Sequence, residues 1–96
     1  MNMNTLKEQR KLAFIFKAYA HPARIMIIKR LLIKELCVGD VKNELKLRQA
    51  NVSQHLNILR NAGLVDYKKE GKRRCYFIVR PLAAEEMLKC IERSLK

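Results

Sequence analysis

The stretch RQANVSQHLNILRNAGLV, running from Arg48 to Val65, decides how the rest of the chain is read. It opens on short polar residues, settles into a helical apolar rhythm and stops at Gly63 before an apolar pair. At about 100° per residue, Val52, His55, Leu56, Ile58, Leu59 and Ala62 share one broad arc, the side such a helix buries. Gln49, Ala50, Ser53, Gln54, Asn57, Arg60 and Asn61 fall opposite, and Asn51 adds one more amide. A merely solvated helix carries Glu and Lys more often than this. Short donor-acceptor side chains can instead read base edges: Gln pairs bidentately with adenine, and a small residue such as Ala50 admits close approach to a thymine methyl.

The flanks agree with that reading. Upstream, the spacing predicts a short helix from Gly39 to Leu45, with Val41 and Leu45 on one face, and a brief turn from Lys46 to Arg48. Downstream, LVDYKKEGKRRCYFIV alternates β-branched or aromatic residues with charge around Glu70-Gly71-Lys72, the pattern of a hairpin. Its tip carries Lys68, Lys69, Lys72, Arg73 and Arg74. A charge run by itself is usually only solvated. Beside two short helices and a tight turn it reads as a wing whose cations hold phosphates or enter a narrow minor groove.

Farther out, Leu6 to Ala20 reads as a first helix with more apolar surface than one stripe needs. A second helix starts at Pro22, which suits the first helical position, and is apolar almost all round, as befits the middle of a domain. Pro81 ends the hairpin, and an amphipathic helix follows with Ala84, Leu88, Ile91 and Leu95 in line and Met87 beside them. The expected order is α-α-α-α-β-β-α: a mainly helical winged helix-turn-helix occupying residues 6–96, behind a flexible segment 1–5.

Bulk properties bound the function. A chain of 96 residues, 49% hydrophobic, makes one small domain. Its 21 Lys and Arg against 9 Asp and Glu give a net charge of +12, which favours polyanionic partners. No apolar run is long enough to span a membrane, and MNMNTLKEQR has no apolar core of a secretory signal, so a cytoplasmic location is expected. Cys37, Cys75 and Cys90 are odd in number and widely separated. In a reducing compartment they are expected to remain thiols, without a disulfide framework. His55, in the apolar arc, is expected to be a hydrogen-bonded core or hinge residue, and His21 a helix cap. No phosphate loop, HExxH or nucleophile elbow appears, so neither an enzyme nor a cofactor is implied.

AHPARIMIIKRLL, ELCVGDV, RQANVSQHLNILRNAGLV and KKEGKRRCYFI together resemble the ArsR/SmtB family of bacterial and archaeal repressors, over about Leu6 to Leu95. The resemblance implies a homodimer, joined through its first and last helices, that binds double-stranded DNA at an inverted-repeat operator and leaves it on a signal. On that basis Arg48, Gln49, Ala50, Asn51, Ser53, Gln54, Asn57, Arg60, Lys68, Lys72, Arg73 and Arg74 are the expected DNA-contacting residues.

The departures concern the signal. Soft-metal sensors of the family often carry ELCVCDL, whereas Gly39 stands here in place of the second cysteine. Other members bind zinc between the last helices through Asp, His and Glu, and the last helix has no histidine here. Arg48 replaces a usual capping Ser, and His21 a usual acidic or small cap. No metal site is therefore expected, and the inducer is unassigned. Cys37, Cys75 and Cys90 remain candidates for a metalloid or redox sensor beside the simpler role of small hydrophobes. A basic RNA-binding module is the alternative from a different class.

Overall fold

The computed structural model describes residues 5–96. Five helices and three short strands follow one another: α1 (Leu6–Tyr19), α2 (Pro22–Ile33), β1 (Leu36–Cys37), α3 (Val38–Leu45), α4 (Gln49–Asn61), β2 (Val65–Glu70), β3 (Arg73–Ile78) and α5 (Pro81–Ser94). This is the expected winged helix-turn-helix with one element added, β1. The expected flexible segment 1–5 falls on residues 1–4, outside the described ones, and on Thr5, whose hydroxyl caps α1 by accepting the Glu8 N–H at 3.2 Å.

Local chemistry sets the helix ends. Pro22 opens α2, and His21 caps it by accepting the Ala23 N–H on Nδ1 at 3.0 Å. α4 closes on a Schellman motif: Gly63, at φ 78°, donates to the Arg60 carbonyl at 2.9 Å and Leu64 donates to the Leu59 carbonyl at 3.0 Å. Lys46 takes the same left-handed conformation (φ 54°) between α3 and α4. A side chain there costs ~1 kcal/mol that glycine would avoid, and it directs the chain sharply from one helix into the next.

α2 is the centre of the domain. It touches α1, α3, α4, β3 and α5, and Ile27 and Ile28 are completely buried. Its apolar coat is nevertheless incomplete as packing, since Met26 and Ile33 are exposed. Val41 of α3, Val52, Leu56 and Leu59 of α4, and Val65 of β2 close the core against it. The buried arc of α4 is the one its periodicity marks, with His55, Ile58 and Ala62 at its partly covered margins.

The sheet corrects one expectation. Its order is β1-β3-β2, all antiparallel, with Leu36 opposite Tyr76 and Cys37 opposite Cys75. Cys37 and Cys75, expected as separate thiols, are joined in a disulfide. The physical reason is register: the edge of β3 left open by β2 takes up two residues from the segment between α2 and α3. That pairing puts two cysteines 38 positions apart face to face. Cys90 is free and exposed on α5.

Candidate nucleic-acid interface

α4 presents its amides and hydroxyls because its other side is consumed by the core. Gln49, Ala50, Asn51, Gln54, Asn57, Arg60 and Asn61 are exposed, and Ser53 is half-buried. Gln49, Ser53 and Asn57, spaced four residues apart, line one wall of a cleft of about 440 Å³. Lys72, Arg73 and Arg74 of the wing line the other wall, and Cys37, Val38, Gly39 and Tyr76 complete it. The fold thus brings six of the twelve expected residues to one place. Ala50, Asn51 and Gln54 lie outside the cleft on the exposed face of the helix, and Arg48 stands at its N-cap without a side-chain capping bond.

The cations differ in how far they are already engaged. Arg73 donates to Asp40 at 3.2 Å, tying the wing to α3. Lys68 pairs with Glu35 at 3.0 Å, and that hydrogen bond raises its pKa above the ordinary lysine range. Arg60 donates to Asp66 at 3.0 Å. The pair holds Asp66 below the usual carboxylate range, helped by the Tyr67 N–H, and raises Arg60. Arg60 and Arg74 also lie over the Tyr67 ring, at 4.7 and 4.8 Å from its centroid. These pairs are exposed, so each adds little to stability. Their effect is positional: Arg60 and Lys68 point at acidic neighbours outside the cleft. Lys72, at the tip beside Gly71, has no ion-pair partner among the described residues.

Beneath the reading face, Arg24 fastens α4 to the N-terminal half. Its guanidinium donates to the Ala18 carbonyl at 2.6 Å and to the Lys17 carbonyl at 3.3 Å, and meets Nδ1 of His55 at 3.2 Å. The His21 and His55 rings are 4.5 Å apart. Burial first, then the neighbouring His21 and Arg24, lowers the His55 pKa below the ordinary histidine value. His55 is therefore hydrogen-bonded at the margin of the core, in line with the expected core or hinge role.

Periodicity did not single out Val38 and Gly39, the first turn of α3, or Tyr76 as cleft residues. β1 places them there, and nothing in two residues of sequence announces that strand. The same pairing assembles the one group of metal-type donors among the described residues. Sulfurs of Cys37 and Cys75 and a carboxylate oxygen of Glu70 lie within 4.8 Å of one another. With the sulfurs bonded to each other they offer no thiolate ligands.

Known proteins are similar to this chain in sequence and fold. The family model of bacterial regulatory proteins of the arsR family matches residues 21–67, from the α2 cap into the wing. An HTH-type transcriptional regulator of Methanocaldococcus jannaschii is 44% identical over 75 residues, which is 77% of this chain and 84% of that one. The chain belongs to the ArsR family. As a member it is a DNA-binding transcriptional regulator. Its similarity extends to the biofilm growth-associated repressor of Agrobacterium fabrum, 38% identical over 81% of this chain and 67% of that one. Among solved structures, HlyU of Vibrio cholerae superposes with a TM-score of 0.79 at 34% identity, covering 93% of this chain and 96% of the other. No helix of the described residues is long and apolar enough to cross a membrane.

Proposed function

We propose that this ArsR-family regulator is a homodimeric, cytoplasmic repressor that grips an inverted-repeat duplex with α4 in the major groove and the wing on the backbone. The observation that carries the reading is the cleft in which Gln49, Ser53 and Asn57 face Lys72, Arg73 and Arg74. Amides on one wall suit base edges, and cations on the other suit phosphate oxygens. Ala50, Asn51 and Gln54 extend the reading face, and Arg48 adds a phosphate contact at the entry to α4. The repressor sense follows that of the Agrobacterium relative.

Dimerisation has its own support. α1 buries only Ala18 and Tyr19, leaving Leu12, Phe14 and Phe16 about half exposed, while Ile91 of α5 and Leu95 just past its end are 49% and 79% exposed. An apolar surface of this extent on so small a domain marks an association face. A two-fold axis would set two α4 helices about 34 Å apart, one turn of duplex.

The test is selection of duplex sites from random DNA, followed by binding titrations across salt and by sedimentation. A dimer that recovers a palindrome and loses affinity steeply with salt is expected. A monomer indifferent to the selected palindrome, or a preference for structured RNA over duplex DNA, would refute the reading.

A further inference from the structure

We propose that Cys37 and Cys75 form a reversible redox clasp at the floor of the DNA-reading cleft, and that closing it strengthens DNA binding. The proposal rests on the reading of the cleft as the DNA site and concerns its regulation.

The two sulfurs join the parts that reading assigns to different tasks. Cys37 is the N-cap of α3, the first helix of the helix-turn-helix, whereas Cys75 lies in β3, the strand leading back from the wing tip. Apart from the disulfide, β1 meets β3 through only two residue pairs, and Arg73–Asp40 is an exposed ion pair across the same seam. The base of the wing is packed in the core through Val65, Tyr76 and Ile78, but nearer the tip only the two-residue β1 and the exposed Arg73–Asp40 and Lys68–Glu35 pairs hold it beside α3 without the covalent link. With it, Arg73 and Arg74 keep a set position relative to Gln49 and Ser53. A binding surface already held in position loses less freedom when the duplex docks.

The surroundings give the cysteines different roles. Cys37 is 8% exposed and lines the cleft, so it is the sulfur that an incoming reagent reaches first. Cys75 is 4% exposed, with a Glu70 carboxylate oxygen 3.8 Å from its sulfur, an acceptor suited to holding a thiol proton. Closure uses a hydroperoxide. The Cys37 thiolate attacks the terminal peroxide oxygen, the O–O bond breaks, and the alcohol or water leaves with a proton. The resulting sulfenic acid is then attacked by Cys75, forming the S–S bond and releasing water. Overall, two thiols and one hydroperoxide yield one disulfide, one alcohol and one water. Opening is exchange with a small dithiol, which takes up the oxidised state as its own disulfide. Cys90 plays no part: it is exposed on α5 and outside the Cys37–Glu70–Cys75 group. A duplex seated in the cleft covers Cys37 and slows its reaction with thiol reagents, while by linkage it favours the closed disulfide that binds it more tightly.

The experiment uses the full chain, oxidised with hydrogen peroxide or reduced with dithiothreitol. Free thiols are trapped by alkylation and located by mass spectrometry, and each form is titrated with the selected duplex. The oxidised form should show one alkylated cysteine, Cys90, and bind roughly three- to tenfold more tightly than the reduced form. The difference should vanish in Cys37→Ser and Cys75→Ser and persist in Cys90→Ser. DNA should slow alkylation of Cys37 in the reduced protein. Reversible titration of the parent protein serves where a serine variant does not fold. Equal affinity in the two forms, weaker binding when oxidised, or a disulfide that includes Cys90 overturns the proposal. If neither form binds any duplex, the DNA reading fails and the clasp's regulatory role fails with it, while the alkylation pattern still reports whether the pair closes.

Discussion

The two walls of the cleft are built on opposite terms. On the α4 wall, no side-chain partner engages Gln49, Asn51, Ser53, Gln54 or Asn57 among the described residues, although the helix beneath them is anchored by fully buried Val52, Leu56 and Leu59. On the wing and its flanks most cations are engaged, and beyond the core residues Val65, Tyr76 and Ile78 at its base the support is thin. Arg73 meets Asp40, Lys68 meets Glu35, Arg74 lies over Tyr67, and above its core-packed base the wing is joined to α3 through the sheet edge and one disulfide. A rigid element with open hydrogen-bonding groups suits discrimination. A lightly held element whose cations exchange one anionic partner for another suits adhesion.

The comparison stands on the core under α4, so the largest effect comes from removing it. Leu56→Ala deletes a completely buried core side chain and should cost ~2–5 kcal/mol, read by chemical denaturation. Both walls should then fail together. A variant of normal stability would mean that α4 is supported by something other than this packing.

Next come the walls themselves. Gln49→Ala should cost ~1–3 kcal/mol on the preferred duplex and little on random DNA. Lys72→Ala should weaken every sequence alike and reduce the salt slope by ~1. Asp40→Asn supplies the inverse: releasing Arg73 from its carboxylate should strengthen binding to all sequences by less than ~1 kcal/mol. Competition titrations against selected and scrambled duplexes measure all three. Wing variants that alter base preference while Gln49→Ala does not would exchange the roles of the two walls.

What was legible in the sequence follows the same division. The α4 wall could be read because its pattern is helical and local: one arc apolar, one arc amide-rich, and a glycine where the left-handed turn falls. The hairpin could be read because alternation flanks a Glu-Gly-Lys turn. β1 could not, since two residues carry no period and their pairing is determined by the open edge of β3, 38 positions away. The disulfide was hidden for that reason. Compartment reasoning about thiols also pointed the other way, because it speaks of averages and not of two cysteines brought into register. Arg60 shows a subtler limit. Helical angle puts it on the polar face, but only the folded chain shows Asp66 and Tyr67 waiting across the Schellman turn.

The smallest effect tests how the α4 wall is attached to the rest of the domain. His55 accepts the Arg24 guanidinium on Nδ1, which requires that nitrogen to be unprotonated, and the same Arg24 ties down the end of α1. Burial, the adjoining His21 and Arg24 itself lower the His55 pKa, so the unfolded chain binds the proton more readily than the folded one. The sign follows. Above about pH 6.5 both states are neutral at this position and the staple is intact; as pH falls through that value the unfolded state gains protons first and stability declines, levelling off below the lowered pKa of the folded state. Asp66 does not confuse the window, since it is held below the ordinary carboxylate range and titrates at lower pH. Urea midpoints measured between pH 8 and pH 5 should therefore fall with acid in the parent protein. They should fall less in His55→Gln, whose amide oxygen can accept Arg24 at every pH. A variant that tracks the parent across the window would show that the helix is anchored by apolar packing alone, and that Arg24 only lies beside it.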